Sequence, residues 1–278
     1  MRFGITFGQL HNAVWADAAV AADELGYESV WMPEHLVLPT TMEGELVPGE
    51  EHPPINPATP VVDACAWLSW IAGRTSRVRL GTFVYLLAIR HPFVGARAFA
   101  TLDLVSDGRA EVGVGAGWLR TEWQAVGLDP RGRGLRLDEA IDLVRRLWTE
   151  ERISADGPTW TFNEVMFEPK PVQSPPPIIV GGESPAALRR AATRGDGWIG
   201  MTHTPSSAAD AVARLGELRD DAGRSDQPFT VTVMGQVADD TDVTAFEDAG
   251  VDRLIVVPWG SSRTAIEDMQ AFADRFLD

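Results

Sequence analysis

Glu34 and His35 stand side by side where the apolar run Ser29–Met32 gives way at Pro33. A strand that only had to turn would end on Gly, Asn or Asp. An acid beside a histidine suits proton transfer: imidazole titrates near neutrality, and a carboxylate can orient it or raise its pKa. Neighbours on a strand face opposite ways, so only one of the two need touch reacting atoms. His35 is favoured for that role, with Glu34 as its support or as a ligand contact. The competing reading is a loop histidine with a satisfied hydrogen bond.

Two glycine-rich stretches offer complementary chemistry. In GVGAGWLRTE, residues 113–122, three glycines in five residues allow close backbone approach to a flat or anionic group. Trp118 and Glu122 are four apart and share a face if a helix begins there. Trp118 walls a pocket on one reading and fills a core on the other. In IIVGGES, residues 178–184, Gly181 and Gly182 leave amide N–H groups bare ahead of the helical ALRRAA, with Ser184 as its cap. Such a helix start binds phosphate through backbone donors and dipole, although Gly-Gly also makes ordinary turns. Arg90 and His91 precede Pro92, where capping the next helix is the favoured role. His11, His35, His52, His91 and His203 are scattered singly, so no metal site is expected. There is no P-loop and no GxSxG elbow. This inventory suits a planar, phosphorylated cofactor whose own ring does the chemistry.

The elements that must position these residues alternate. Strand-like runs occupy Arg2–Phe7, Ser29–Met32, Val78–Leu87, Arg109–Gly115, Ile178–Gly181, Gly197–Met201, Phe229–Val237 and Arg253–Pro258. Helix-period runs occupy Val14–Leu25, Pro60–Gly73, Phe93–Leu104, Arg136–Trp148, Ser184–Arg194, Ser206–Ala222, Asp242–Ala249 and Ser262–Phe276. Strict alternation implies a parallel sheet, and eight units in one chain of this length imply a closed (β/α)8 barrel, a single domain over residues 1–278. Gly26 and Gly250 read as helix stops. Two insertions break the minimal pattern. One is the Pro-, Glu- and His-rich loop Pro33–Pro57 after the second strand. The other is Ile153–Pro177 after the fourth, where TWTFNEVMF alternates like a hairpin strand. Barrel active sites lie at the C-terminal strand ends, which puts Glu34 and His35 in the mouth.

Composition narrows the class. A net charge of −16 and a pI near 4.7 argue against nucleic acid and against an anionic membrane surface. Lys170 is the only lysine. Cys65 lies in an apolar run and reads as an inert core thiol. No apolar run approaches the ~18 residues of a membrane span, and MRFGITF enters a strand with no signal-peptide pattern. A soluble cytoplasmic protein acting on a small molecule is expected.

The blocks RFGITFGQ, GYESVWMPEH, LGTFVYLLAIRHPFVGARAFATLDLVSDGR, GVGAGWLRTEW, PPIIVGG and RRAATRGDGW resemble, in order and nearly end to end, the bacterial luciferase-like flavin family. WxxEH at Trp31–His35 and GxGWxxxE at Gly115–Glu122 look most like its deazaflavin branch, which uses coenzyme F420. The resemblance implies a TIM barrel with insertions and an oxidoreductase exchanging a hydride between F420 and a small organic substrate. It further implies a non-proline cis peptide between Phe83 and Val84, forming a bulge that backs the ring. Glu34 and His35 would lie near the ring, and Ala116, Gly117, Trp118, Thr121 and Glu122 would line the ring and ribityl region. Gly181, Gly182 and Glu183 would hold the phosphate. Catalytic roles would fall to His35, Glu34 and Trp118. Arg120, Arg131 and Arg133 are the cluster nearest the GxGW turn for the cofactor's poly-glutamate tail. Sugar-phosphate dehydrogenases of this branch carry glutamate at Trp118 and use lysines for the sugar phosphate, so a more apolar substrate fits better here. A homodimer through outer-ring helices is implied. Two alternatives stay open: an FMN-dependent monooxygenase using O₂ and a partner flavin reductase, and a flavin-binding protein without catalysis.

Overall fold

Strands form where short apolar, β-branched runs are bounded by turns. They are β1 Arg2–Thr6, β2 Ser29–Met32, β3 Arg79–Thr82, β4 Ala110–Val114, β5 Ile153–Asp156, β6 Thr161–Val165, β7 Ile178–Gly181, β8 Gly197–Thr202, β9 Thr230–Met234 and β10 Arg253–Val256. The helices are α1 Trp15–Leu25, α2 Ala64–Ala72, α3 Pro92–Val105, α4 Arg120–Ala125, α5 Arg133–Thr149, α6 Pro185–Arg194, α7 Pro205–Asp221, α8 Asp240–Asp248 and α9 Ala265–Phe276. The computed structural model describes residues 1–47, 49 and 55–277; His52 and the middle of the Pro33–Pro57 loop lie outside the described residues.

Eight parallel strands close in the order β1-β10-β9-β8-β7-β4-β3-β2, with helices around them, as the alternation implies. β5 and β6 pair antiparallel as a separate hairpin between β4 and β7. The hairpin is held from outside the barrel: Phe162 meets Phe93 of α3 edge-on at 4.8 Å, and Glu139 of α5 accepts the Thr159 and Trp160 N–H groups. Gly26 (φ 89°) closes α1 by donating to the Ala22 carbonyl, a left-handed position glycine tolerates without strain.

The expected boundaries fail where apolar character and strand character part company. The run Val78–Leu87 stays largely buried, but β3 ends at Thr82. The chain turns at a cis Phe83–Val84 peptide, touches β4 through a single Tyr85–Val114 bridge, and enters a 3₁₀ turn at Leu87–Ile89. Helix α2 starts at Ala64 rather than Pro60, because the Asp63 side chain caps it by accepting from the Ala66 N–H at 2.8 Å. The short helix α4 has no counterpart among the expected elements.

Inside the barrel a polar layer sits below an apolar one. Arg253 is 1% exposed and donates to both Glu28 and Glu111, and its guanidinium lies 5.3 Å from the ring of Trp31. Trp31, Ile179, Ile199 and Ile255 form the next layer, bordered by Phe83, Val84 and Met234. Trp31 is fully buried and donates to Ser29 Oγ at 2.9 Å. The tryptophan of WxxEH therefore fills the barrel, while Glu34 and His35 of that motif line the mouth. Cys65 is buried in α2, where burial raises its thiol well above the usual range, in keeping with an inert core residue.

Candidate active site

The C-terminal strand ends enclose a cleft of about 1130 Å³. Its walls include Glu34, His35, Phe83, Val84, Ala116, Gly117, Trp118, Gly181, Gly182 and Glu183. Thr121 and Glu122 are not among these wall residues. Thr121 Oγ1 instead accepts from the Glu43 N–H, and Glu122 is wholly buried behind the wall.

Glu34 and His35 diverge, as residues leaving a strand should, and each finds a different partner. The Glu34 side chain is fully buried; it accepts from the Leu86 N–H at 2.7 Å and from both terminal nitrogens of Arg90, at 2.7 and 3.2 Å. Burial pushes the Glu34 carboxyl up to about 7, against the opposing pull of Arg90 and the Leu86 N–H. His35 places Nδ1 2.9 Å from Glu122 Oε2, while Glu122 Oε1 accepts the N–H groups of Leu36 and Val37 at 2.6 and 3.2 Å. The carboxylate that orients His35 is therefore Glu122, not the adjacent Glu34. Nothing in local sequence pairs residues 87 positions apart; helix α4 does so by presenting Glu122 in its first turn. A carboxylate on Nδ1 requires the N–H there and leaves Nε2 as the nitrogen able to take or give a proton.

Arg90 and His91 divide the two roles weighed for them. His91 caps α3, accepting from the Phe93 N–H at 3.3 Å. Arg90 anchors Glu34 and stacks over Tyr85 with 4.3 Å to the ring centre, so its place behind the site is set by tertiary contacts.

Val84 is the floor of the cleft. A Cβ on Gly115 would lie 2.5 Å from one Val84 methyl, and a Cβ on Gly181 would lie 2.7 Å from the other. Gly113 lies so close to the Thr82 carbonyl that no side chain fits, and Gly117 has φ 76°. The Val84 bulge, the backbone of β3 and one left-handed turn each constrain one glycine of GVGAG, and Gly115 and Gly117 also line the cleft. Beyond that turn, Trp118 is half-buried and meets His35 edge-on, with ring centres 6.1 Å apart. Trp118 is therefore a pocket wall and not barrel core.

Opposite His35, α6 points its N-terminus into the cleft. Gly181, Gly182, Glu183, Ser184 and Ala187 line that end. Ser184 Oγ accepts the Ala187 N–H at 3.2 Å, capping the helix as its position implies. Gly182 has φ 121°, and a Cβ there would sit 3.0 Å from the Ala187 Cβ. The Glu183 carboxylate turns away, accepting from the Met201 N–H at 2.6 Å and lying 3.2 Å from His203 Nε2. What Glu183 can offer an anion is its backbone N–H.

Arg120 and Arg133 line the cleft, and Arg131 does not; it is 90% exposed and paired with Asp129. Sequence reasoning passed over the rest of the wall, including Gln9, Asn12, Leu38, Asn56 and Val62. These come from loops after β1 and β2, where no motif marks them.

Residues 9–255 match the signature of the luciferase-like monooxygenases. The chain is 38% identical over 188 residues to an F420-dependent glucose-6-phosphate dehydrogenase of Kineococcus radiotolerans; the match covers 66% of this chain and 51%, about half, of that relative. Its fold is similar to that of an F420-dependent secondary alcohol dehydrogenase in complex with an F420-acetone adduct, with TM-score 0.80 at 18% identity over 98% of this chain and 97% of that one. It is similar again to a monooxygenase from Streptomyces bottropensis, with TM-score 0.78 at 22% identity over 100% of this chain and 99% of the other. At such identities the two structures attest to the fold alone. The signature runs from the turn after β1 to the last barrel strand, and on that match the chain belongs to the luciferase-like monooxygenase family.

Proposed function

We propose that the protein is an oxidoreductase that transfers a hydride between coenzyme F420 and a small organic substrate. The observation that carries this reading is a single cleft that joins the His35–Glu122 pair to the N-terminus of α6 across the Val84 floor. The residues present fit such a cofactor. Gly182 leaves a cradle that a side chain would crowd, the α6 terminus favours a phosphate, and Val84 with Trp118 offers apolar surface for a flat ring. When bound, the deazaflavin supplies the hydride chemistry. His35 holds or delivers the matching proton at Nε2, and Glu122 keeps its ring in the required tautomer and orientation. Glu34, anchored by Arg90, supports the floor from behind at Leu86. Trp118 closes the wall beside His35 and helps exclude water from the reacting atoms.

The name of the Kineococcus relative supports the cofactor, as do the WxxEH and GxGWxxxE motifs. The α6 terminus would serve the phosphate of FMN equally well, so an FMN-dependent monooxygenase is the competing reading. Calorimetric titration with each cofactor separates them: F420 should bind at micromolar concentration or tighter and FMN much more weakly. Equal or tighter FMN binding sinks the proposal. Assembly as a homodimer in the cytoplasm belongs to the same reading, and analytical ultracentrifugation checks the dimer.

A further inference from the structure

From Phe3 to Gly73 the chain contains no lysine and no arginine, but ten carboxylates. That segment carries the loops after β1 and β2, which build a large share of the cleft wall. The side chains they contribute include Leu38, Leu46, Ile55, Val61 and Val62, with Glu45 at the rim. His11 also lines the cleft, and its Nδ1 is taken up locally by accepting the Ala13 N–H at 3.2 Å. Among the described residues the arginines on the cleft are Arg120, Arg133 and Arg190, all from the β4 and β7 side. Arg190 is tied to Asp138 at 2.5 Å, Arg133 donates to the Pro130 carbonyl, and Arg120 lies 3.9 Å from Glu43.

We infer that the substrate is an uncharged, largely apolar molecule and that anionic substrates, sugar phosphates included, are excluded from this cleft. The inference rests on the proposed function, in which the β4 and β7 side holds the cofactor and the β1 and β2 side is left for the substrate. An anion placed against the latter would leave water without gaining an arginine or lysine and would meet the Glu45 carboxylate on the same wall. A neutral ketone or alcohol buries its carbon skeleton against Leu38, Ile55 and Val62 at no such cost. Its single polar group can turn to His35 or to the amides Gln9, Asn12 and Asn56 on the same wall. The relative named for glucose 6-phosphate and this chain would then share a barrel and differ in substrate charge.

A matched pair of probes tests this. Cyclohexanone and 4-oxocyclohexanecarboxylate differ in one carboxylate, and their binding to the protein, with and without added F420, is read by ligand-observed NMR. The neutral ketone should bind at least about tenfold tighter, the scale of about 1.4 kcal/mol for an unpaired charge at a partly wetted wall. Val61→Arg, at a side chain already 41% exposed, puts a cation on that wall and should shrink the gap to about threefold or less. Glucose 6-phosphate should neither bind measurably nor turn over with F420. Equal or tighter binding of the anionic ketone, binding of neither ketone, or turnover of glucose 6-phosphate overturns the inference. Loss of F420 binding with the ketone preference intact overturns only the cofactor reading.

Discussion

The two sides of the barrel mouth are built from different residues. The side after β4 and β7 is glycine-rich, ends in a helix N-terminus and carries the cleft's arginines. The side after β1 and β2 is long-looped, apolar and acidic, with no lysine or arginine in its sequence. Anion binding needs backbone N–H groups and positive charge, which a tight turn into a helix supplies locally. Selecting a neutral molecule needs shaped apolar surface, which only loops packed from several directions supply. His35 belongs to the second side, yet the carboxylate that orients it belongs to the first, so the His35–Glu122 pair is the seam between them.

Breaking the seam should have the largest effect. His35→Ala should lower turnover by roughly 10²–10⁴ while F420 affinity stays within a few-fold, and the pH–rate profile should lose a limb. Near-normal turnover at saturating cofactor would end the acid–base role and reduce His35 to ring packing. Glu122→Gln keeps the shape and one acceptor for the Leu36 and Val37 N–H groups but removes the charge beside Nδ1. Its loss should fall mainly on turnover, and a variant that loses only cofactor affinity would contradict the pairing.

The next largest effect sharpens what lies behind the acidic side. Glu34 has its folded-state carboxyl pKa raised from 4.5 to about 7 by burial. The folded protein therefore holds this proton more tightly than the unfolded chain. Its contribution to stability is fully present below pH 4.5 and is lost as pH rises to about 7, by at most about 3 kcal/mol. Glu34→Gln keeps one acceptor for Arg90 and does not titrate, so the difference in unfolding free energy between wild type and variant should fall across that window. Urea denaturation at pH 5, 6 and 8 reads it. A flat difference would mean that Arg90 keeps Glu34 ionised throughout.

On the opposite side, Gly182→Asp should cost about 10- to 100-fold in cofactor affinity while the barrel stays folded, because a carboxylate there repels phosphate and the φ of 121° strains any side chain. Normal binding by this variant would move the phosphate away from α6. The smallest effect concerns the cofactor tail. Neutralising Arg120 and Arg133 should weaken a long-tailed F420 a few-fold more than a short-tailed one, and Arg131→Gln should change neither. Indifference to tail length would leave the tail in solvent.

Periodicity alone was enough for the barrel. Eight apolar runs alternating with eight helix-period runs have one economical closure, because parallel strands buried on both faces need helices outside them. Position followed from that closure: a residue at the end of β2 must face the mouth, so Glu34 and His35 were legible before any contact was known. Gly181, Gly182 and Ser184 were legible for the same reason, since a cap and bare amides at a strand-to-helix turn are local chemistry. Partners were not. Glu122 reaches His35 and Arg90 reaches Glu34 only because α4 and the turn after β3 fold back over β2, and no short-range spacing encodes that. The glycines carry a second constraint that the letters do not show, since a Cβ on Gly115 or Gly181 would meet Val84, a neighbour that only the closed barrel brings between them. Trp31 reads as part of a motif but fills the barrel interior, because burial is a property of the assembled strands and not of the run of letters in which a residue sits.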